Sequence, residues 1–362
     1  IISTICLLLF AILSTSGDPY ILLTHPETGT SSAKFITDVK FSPDYGTIAT
    51  CGFPWGSVFF WDPSTGNFKG KVDGTENIGN IVYSQNGKYI AAWGYRDLIH
   101  IFDVENQILL YAFNVIPIAS PEWDPDIWGY KSLGSCVFSS DEEKLFIAYN
   151  GSVYVWDIIH QKRINKFDYP YDGELVFTGH QIQFLLNQKD LLLDCGLGFM
   201  IADSVTGSII KKYNDWGAFY RLLSDKNTVV TGRYSFSGNR TNYSLFNLSK
   251  NEFLYDTLVI DFFSSMFVFS FDFNYILHGR GTVTNEDLKQ VLSDNDIRID
   301  SVSTKKTVLN LSSLYQIPQF DKKTQFLGFS PNNQYVYLAI EGDLYLFDVK
   351  DSLSTILNAI KY

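Results

Sequence analysis

Helical periodicity is almost missing from this chain. The apolar spacing of an amphipathic helix appears once, in Thr284-Asn285-Glu286-Asp287-Leu288-Lys289-Gln290-Val291-Leu292, a short capped segment. Cysteine is scarce as well, four in 362 residues. With Cys6 set aside, Cys51, Cys136 and Cys195 are an odd number, each in a run that reads as a strand. There a buried thiol acts as a small hydrophobe, and a Cys136–Cys195 bridge between neighbouring units is the alternative. Basic clusters are missing: 28 Lys and Arg stand against 39 Asp and Glu, a net charge of −11. That balance argues against nucleic acid and anionic membrane surfaces as partners.

The chain is equally poor in local chemistry. Its five histidines, His25, His100, His160, His180 and His278, form no H-E-x-x-H or H-x-x-x-H pair. His100 reads as a packed strand residue and His180 as a structural one. The glycine fragments CGLG at 195–198 and HGRG at 278–281 lack a third glycine and open no helix, so neither cradles phosphate. No G-x-S-x-G elbow occurs. The acidic pairs Asp124/Asp126 and Asp294/Asp296 lack further ligands and read as solvated loop charges. The expectation is no catalytic residue, no metal and no cofactor. Scattered side chains converging on an axis would be the exception.

What is present is a repeat. FSPD at 41–44 is followed by VFFWD at 58–62, VFSSD at 137–141 by VYVWD at 153–157, and FSPNN at 329–333 by LYLFD at 344–348. The polar residue after the aromatic recurs at Ser42, Ser84, Ser139, Asn187, Ser224, Ser270 and Ser330. The acid or amide closing the later strand recurs at Asp62, Asp103, Asp157, Asp203, Asn247, Asp300 and Asp348, so its intervals are 41, 54, 46, 44, 53 and 48 residues. Blade-sized repeats run about 40–50 residues. Within a unit, β-branched and aromatic runs alternate with Asn, Asp and Gly punctuation. In the second unit GNIVYS, YIAAWG, LIHIFDV and ILLYAFNV make four short strands. Runs such as Val58-Phe59-Phe60-Trp61 are apolar on consecutive residues, as a sheet covered on both faces requires. The spacing predicts an all-β chain, with residues 18–362 forming one seven-bladed β-propeller of four-stranded antiparallel blades. Aromatics, 16% of the chain, suit the wedge-shaped gaps between blades, and Trp61 and Trp156 are expected to serve the fold first.

These units resemble divergent WD repeats: Asp-ended aromatic strands recur, and Gly179-His180 before the fourth unit matches that family's Gly-His signature. The cadence is also similar to that of quinoprotein-dehydrogenase-like propellers. The WD resemblance implies a buried Asp-His-Ser-Trp network, whose residues most of the seven units lack. It also implies a scaffold for protein partners in place of a catalyst.

Residues 1–17, IISTICLLLFAILSTSG, carry no charge and end in small residues. They read as the hydrophobic region and cleavage zone of a secretory signal peptide lacking its Met and basic start. A retained segment anchoring the chain to a membrane is the alternative, though it is short of the ~20 residues a span needs. Sequons at Asn150, Asn239, Asn242, Asn247 and Asn310 fit a secreted or lumenal route, with Asn150, Asn239 and Asn242 read as b–c turns.

In a propeller, binding falls to loops at the two faces. If strands run a to d outward, the d–a and b–c connections share one face. The longest insertions are d–a at 117–132, with Trp123, Trp128 and Tyr130, b–c at 282–296, and d–a at 169–179, with Tyr169 and Tyr171. Aromatics amid polar residues are typical anchors for a protein partner, a second copy included; the alternative is that Trp123 and Trp128 fold back to plug the ring. Ring closure is open between Tyr20–Thr24 and Ser354–Lys361. The leading expectation is a non-catalytic, secreted or lumenal interaction scaffold, with extracellular assembly one setting. The alternatives are a propeller with an axial ligand site, catalytic or not, and a membrane-anchored subunit.

Overall fold

A computed structural model describes residues 20–25, 35–53, 55–75, 78–94, 98–116, 133–149, 151–170, 181–195, 198–214, 219–223, 225–235, 240–261, 266–272, 274–279, 297–303, 307–311, 324–340 and 342–350. After β1 (Ile21–Thr24), the strands come in sets of four. Blade 1 is β2 (Phe35–Phe41), β3 (Ile48–Phe53), β4 (Ser57–Trp61) and β5 (Phe68–Asp73). Blade 2 is β6 (Asn80–Tyr83), β7 (Tyr89–Trp93), β8 (Leu98–Asp103) and β9 (Ile108–Asn114). Blade 3 is β10 (Leu133–Phe138), β11 (Lys144–Tyr149), β12 (Ser152–Asp157) and β13 (Lys162–Asp168). Blade 4 is β14 (Ile182–Phe184), β15 (Asp190–Asp194), β16 (Gly198–Asp203) and β17 (Ile209–Asn214). Blade 5 is β18 (Phe219–Leu222), β19 (Thr228–Ser235), β20 (Arg240–Asn247) and β21 (Glu252–Asp261). Blade 6 is β22 (Met266–Phe269), β23 (Tyr275–Gly279), β24 (Arg298–Ser301) and β25 (Thr307–Asn310). Blade 7 is β26 (Thr324–Phe329), β27 (Tyr335–Ile340) and β28 (Asp343–Asp348), with β1 as its outer strand.

Seven four-stranded antiparallel sheets result, and the chain is a seven-bladed β-propeller. Of the two closures open in the sequence, the N-terminal one is observed. β1 pairs antiparallel with β28, Ile21 opposite Leu346 and Thr24 opposite Asp343. Residues 351–362 lie outside the described residues.

Consecutive apolar runs form strands here because each blade is covered twice. In β27, Tyr335, Tyr337 and Ala339 pack toward blade 1, while Val336, Leu338 and Ile340 pack toward blade 6. β4 divides the same way: Phe59 and Trp61 meet blade 7, Val58 and Phe60 meet blade 2. The core is therefore a circle of wedges between blades, filled largely by aromatic and branched side chains. Truncating a fully buried ring such as Phe59 to Ala costs about 3–5 kcal/mol.

Strand a marks the hub. Asp38 in β2 accepts the Ile81 amide of β6 at 3.0 Å, and Ser135 in β10 accepts the Ile182 amide of β14 at 2.9 Å. Asp38 and Ser135 each sit beside a β-bulge, which turns a polar side chain sideways to the next blade. The three described thiols are free and buried; Cys136 and Cys195 belong to different interfaces, so no bridge joins them. Burial pushes the Cys51 and Cys136 thiols well up, away from the reactive thiolate.

Candidate interaction site and the ring-closing cluster

The repeated polar residues go first to turns. In the a–b turn, Ser42 Oγ donates to Asp44 at 2.5 Å and accepts the Thr47 amide at 2.9 Å. The same bonds recur at Ser84, Ser139, Ser270 and Ser330. In blades 4 and 5 the register differs from the sequence reading. Leu185 and Leu223 hold the serine's place, shown by their amides donating to Asp190 O and Thr228 O. Asn187 and Asp225 then occupy the Asp44 position and accept the Asp190 and Thr228 amides themselves. A left-handed residue follows in each described turn: Tyr45, Gly87, Glu142, Gln188, Lys226 and Asn333. Some of these tie neighbouring blades. The Asn86 amide donates to Glu142 Oε1 at 2.6 Å, and the Phe271 amide to Asn333 Oδ1 at 3.1 Å.

In blades 1 to 5 the acid or amide that ends the c strand caps the c–d turn. Asp62 Oδ1 accepts the Ser64 hydroxyl and amide and the Thr65 amide, and these bonds, led by the hydroxyl, hold its pKa down at about 2. Asp157 is held low by the His160 amide first, Asp203 by the Thr206 amide first. Asn247 accepts the Lys250 amide in the corresponding place. The turn closes through a left-handed residue at Gly66, Gln107, Gln161, Gly207 and Asn251. At Gly66 a Cβ would also meet Ile21 Cγ2 of the closing strand at 2.5 Å, so glycine eases both the left-handed turn and the approach of β1. The repeat is thus turn chemistry, not catalytic chemistry.

One buried polar cluster stands apart. His25, 3% exposed, follows β1 and sits where blade 7 meets blade 1. Its Nδ1 lies 2.8 Å from Gly342 O, and its Nε2 lies 2.8 Å from Thr50 Oγ1. Thr50 also accepts the Trp61 indole N–H at 2.9 Å. A carbonyl only accepts, so Nδ1 carries hydrogen. In the neutral ring Nε2 then accepts the Thr50 hydroxyl, and the bonds run unbroken from Trp61 to Gly342. The ring stacks on Trp55 at 4.5 Å and 11°, with Phe59 and Trp61 edge-on. These residues form a His-Thr-Trp network of the type the WD resemblance implies, built on Thr24-His25 without a Gly-His pair. Gly179 and His180 lie outside the described residues. His100 is packed as expected, its Nε2 accepting the Thr75 amide at 3.0 Å. His160 lies exposed beside Asp157, and His278 is in β23.

The long connections leave the sheets where expected. β9 to β10 and β13 to β14 are d–a, β23 to β24 is b–c, and antiparallel order puts all three on one face. Trp123, Trp128, Tyr130 and Tyr171, with the expected helix at 284–292, lie outside the described residues. Tyr169 differs from expectation: 5% exposed, it packs between blades 3 and 4, its amide donating to Gly151 O. It continues the β13 ladder into the interface instead of facing solvent. Asn242 also differs. It lies in β20 opposite Arg233, because the β19–β20 pairing extends to Ser235 and Arg240. Asn150 and Asn239 fall in b–c connections outside the described residues, while Asn247 ends β20 and Asn310 ends β25. Among the described residues, no three His, Cys, Asp or Glu side chains gather as a metal site would require. No described helix is long and apolar enough to cross a membrane.

The family described as "WD domain, G-beta repeat" matches residues 21–62, the stretch carrying β1, His25, Thr50 and Trp61. The crystal structure of the Cps50 (Swd1) beta-propeller domain of Myceliophteria thermophila is similar with a TM-score of 0.61 and 13% identity, covering 91% of this chain and 100% of that one. No curated protein matches. The structural likeness shows the β-propeller fold, and residues 21–62 resemble a WD repeat.

Proposed function

We propose that this propeller is a non-catalytic scaffold acting in the secretory route or outside the cell, holding a protein partner on its d–a/b–c face. One observation supports this reading above others: the long connections leave the sheets on a single face, and the one at 117–132 carries Trp123, Trp128 and Tyr130. Rigid blades below and large aromatic loops above are what a docking surface needs, since such rings supply contact area at low entropy cost. The opposite face is the one whose turns are knitted by Ser, Asp and left-handed residues.

Secretion is supported by residues 1–17 and by the sequons. Glycans on Asn150 and Asn239 would stand on the docking face over blades 3 and 5, and leave a partner the blade 2–3 connection and blade 6, or shift it to the opposite face. Expression in a eukaryotic cell tests the route: a secreted product whose mass falls on glycosidase treatment is expected, and an unglycosylated cytosolic product would contradict it. For the docking face, Trp123→Ala with Trp128→Ala is compared with Ile159→Ala, an exposed residue of a c–d turn on the other side. Partners recovered from a native extract should be lost with the tryptophans and kept with Ile159→Ala. An unchanged set would sink the face assignment.

A further inference from the structure

The caps of the c–d turns differ in one respect. Asp62, Asp103, Asp157 and Asp203 serve blades 1 to 4, while blade 5 uses an amide, Asn247. The cap itself asks only for an oxygen. Asn247 Oδ1 accepts the Lys250 amide at 2.8 Å and the Ser249 hydroxyl at 3.2 Å. A backbone N–H only donates, so the atom facing Lys250 is the oxygen, and the planar amide turns Nδ2 away from that bond. Neither bond uses the nitrogen. Asn247 is partly exposed, and Ser249 and Lys250 beside it face solvent. The turn is firmly held: the Leu248 amide donates to Asn227 O at 2.9 Å, and the Ser249 hydroxyl to Asn227 Oδ1 at 2.9 Å. Asn247-Leu248-Ser249 is also a sequon with no proline in its middle position.

The geometry points to Asn247 as the sequon that carries an N-linked glycan, Oδ1 holding the turn and Nδ2 holding the sugar. This site deepens the secretory reading above and rests on it. Transfer joins Nδ2 to the anomeric carbon of an oligosaccharide carried on a lipid diphosphate. The N–C bond forms as the C–O bond to the diphosphate breaks; the diphosphate leaves with the electron pair, and Nδ2 gives up one proton. The product fits the fold, because the oxygen still caps and the sugar stands in solvent. Two other sequons are placed less openly. Asn242 lies within β20, paired with Arg233 on one side and Val259 on the other, and Asn310 ends β25 opposite the buried Arg298. The c–d turns lie on the face opposite the long connections. A glycan on Asn247 therefore closes the blade 5 sector of that face to a protein partner and leaves the docking face untouched.

The full chain is secreted from a eukaryotic cell behind an added leader, which separates this site from the route of residues 1–17. A deglycosylating amidase in heavy-oxygen water then turns each glycosylated Asn into labelled Asp, read by peptide mass spectrometry. Label at 247 is expected in most molecules. Asn247→Asp should lose the mass of one glycan and keep the urea midpoint of the stripped protein, since a carboxylate caps as Asp203 does. Ser249→Ala should lose the same glycan, and Lys250→Ala, just outside the sequon, should keep it. Unlabelled Asn247 in the secreted chain would overturn the site and leave the secretory reading standing. A midpoint well lowered by Asn247→Asp would also overturn it, by showing that the fold itself needs Nδ2. A labelled Asn247 here, with a cytosolic product when the leader is omitted, would instead overturn the secretory reading and the site's use with it.

Discussion

Thr50 joins Trp61 to His25 at the seam of the ring. Thr50→Val keeps the shape and strands an indole N–H and an imidazole nitrogen in a dry interface. A loss of about 1–3 kcal/mol in urea unfolding is expected, with Thr50→Ser largely sparing it. An unchanged midpoint in Thr50→Val would show that the chain of bonds carries no net stability. Asp62 gives a prediction of opposite character. Its carboxylate pKa is depressed in the fold, so its contribution is complete above the ordinary carboxylate value near 4 and fades as pH falls toward about 2. The stability gap between the native chain and Asp62→Asn should therefore be widest above about pH 5 and close below about pH 2. A gap that grows in acid would contradict the capping role. Because the side chain is exposed, the gap will be small.

At the element scale, the sequence is legible wherever a turn dictates residue type. Ser, Asp and Asn recur because only a short oxygen-bearing side chain can meet the a–b and c–d amides, and that spacing exposed seven units. Leu185 and Leu223 blurred the register, since the backbone bond holds there without the hydroxyl. His25 escaped notice because its neighbour is Thr24, not glycine. The Thr50–Trp61 spacing was the signal that could have found it. Tyr169 shows the converse limit: composition marked the loop as a docking element, while burial was decided by packing between blades 3 and 4. β1 is the element whose loss matters most. Leu23 is fully buried in the seam, and Leu23→Ala should cost about 2–5 kcal/mol, read as a lowered urea midpoint. A cost below that of an ordinary surface substitution would mean the strand is not docked.

Across the whole molecule, six interfaces between blades are described, and one blade is completed by non-contiguous chain. β1 and β28 meet there, while the other blades are built from consecutive strands. Closure holds blade 7 against blade 1, and the ring beneath the docking face depends on it. The direct measurement is a cross-link across the join. Leu22 and Tyr345 face each other on β1 and β28, within the reach of a disulfide for opposed strand residues. In Leu22→Cys/Tyr345→Cys, mild oxidation should give an intramolecular bond in nearly every molecule, raise the thermal midpoint and leave the mass monomeric. Failure to form that bond in folded protein, or its formation only between molecules, would contradict closure by the N-terminal strand.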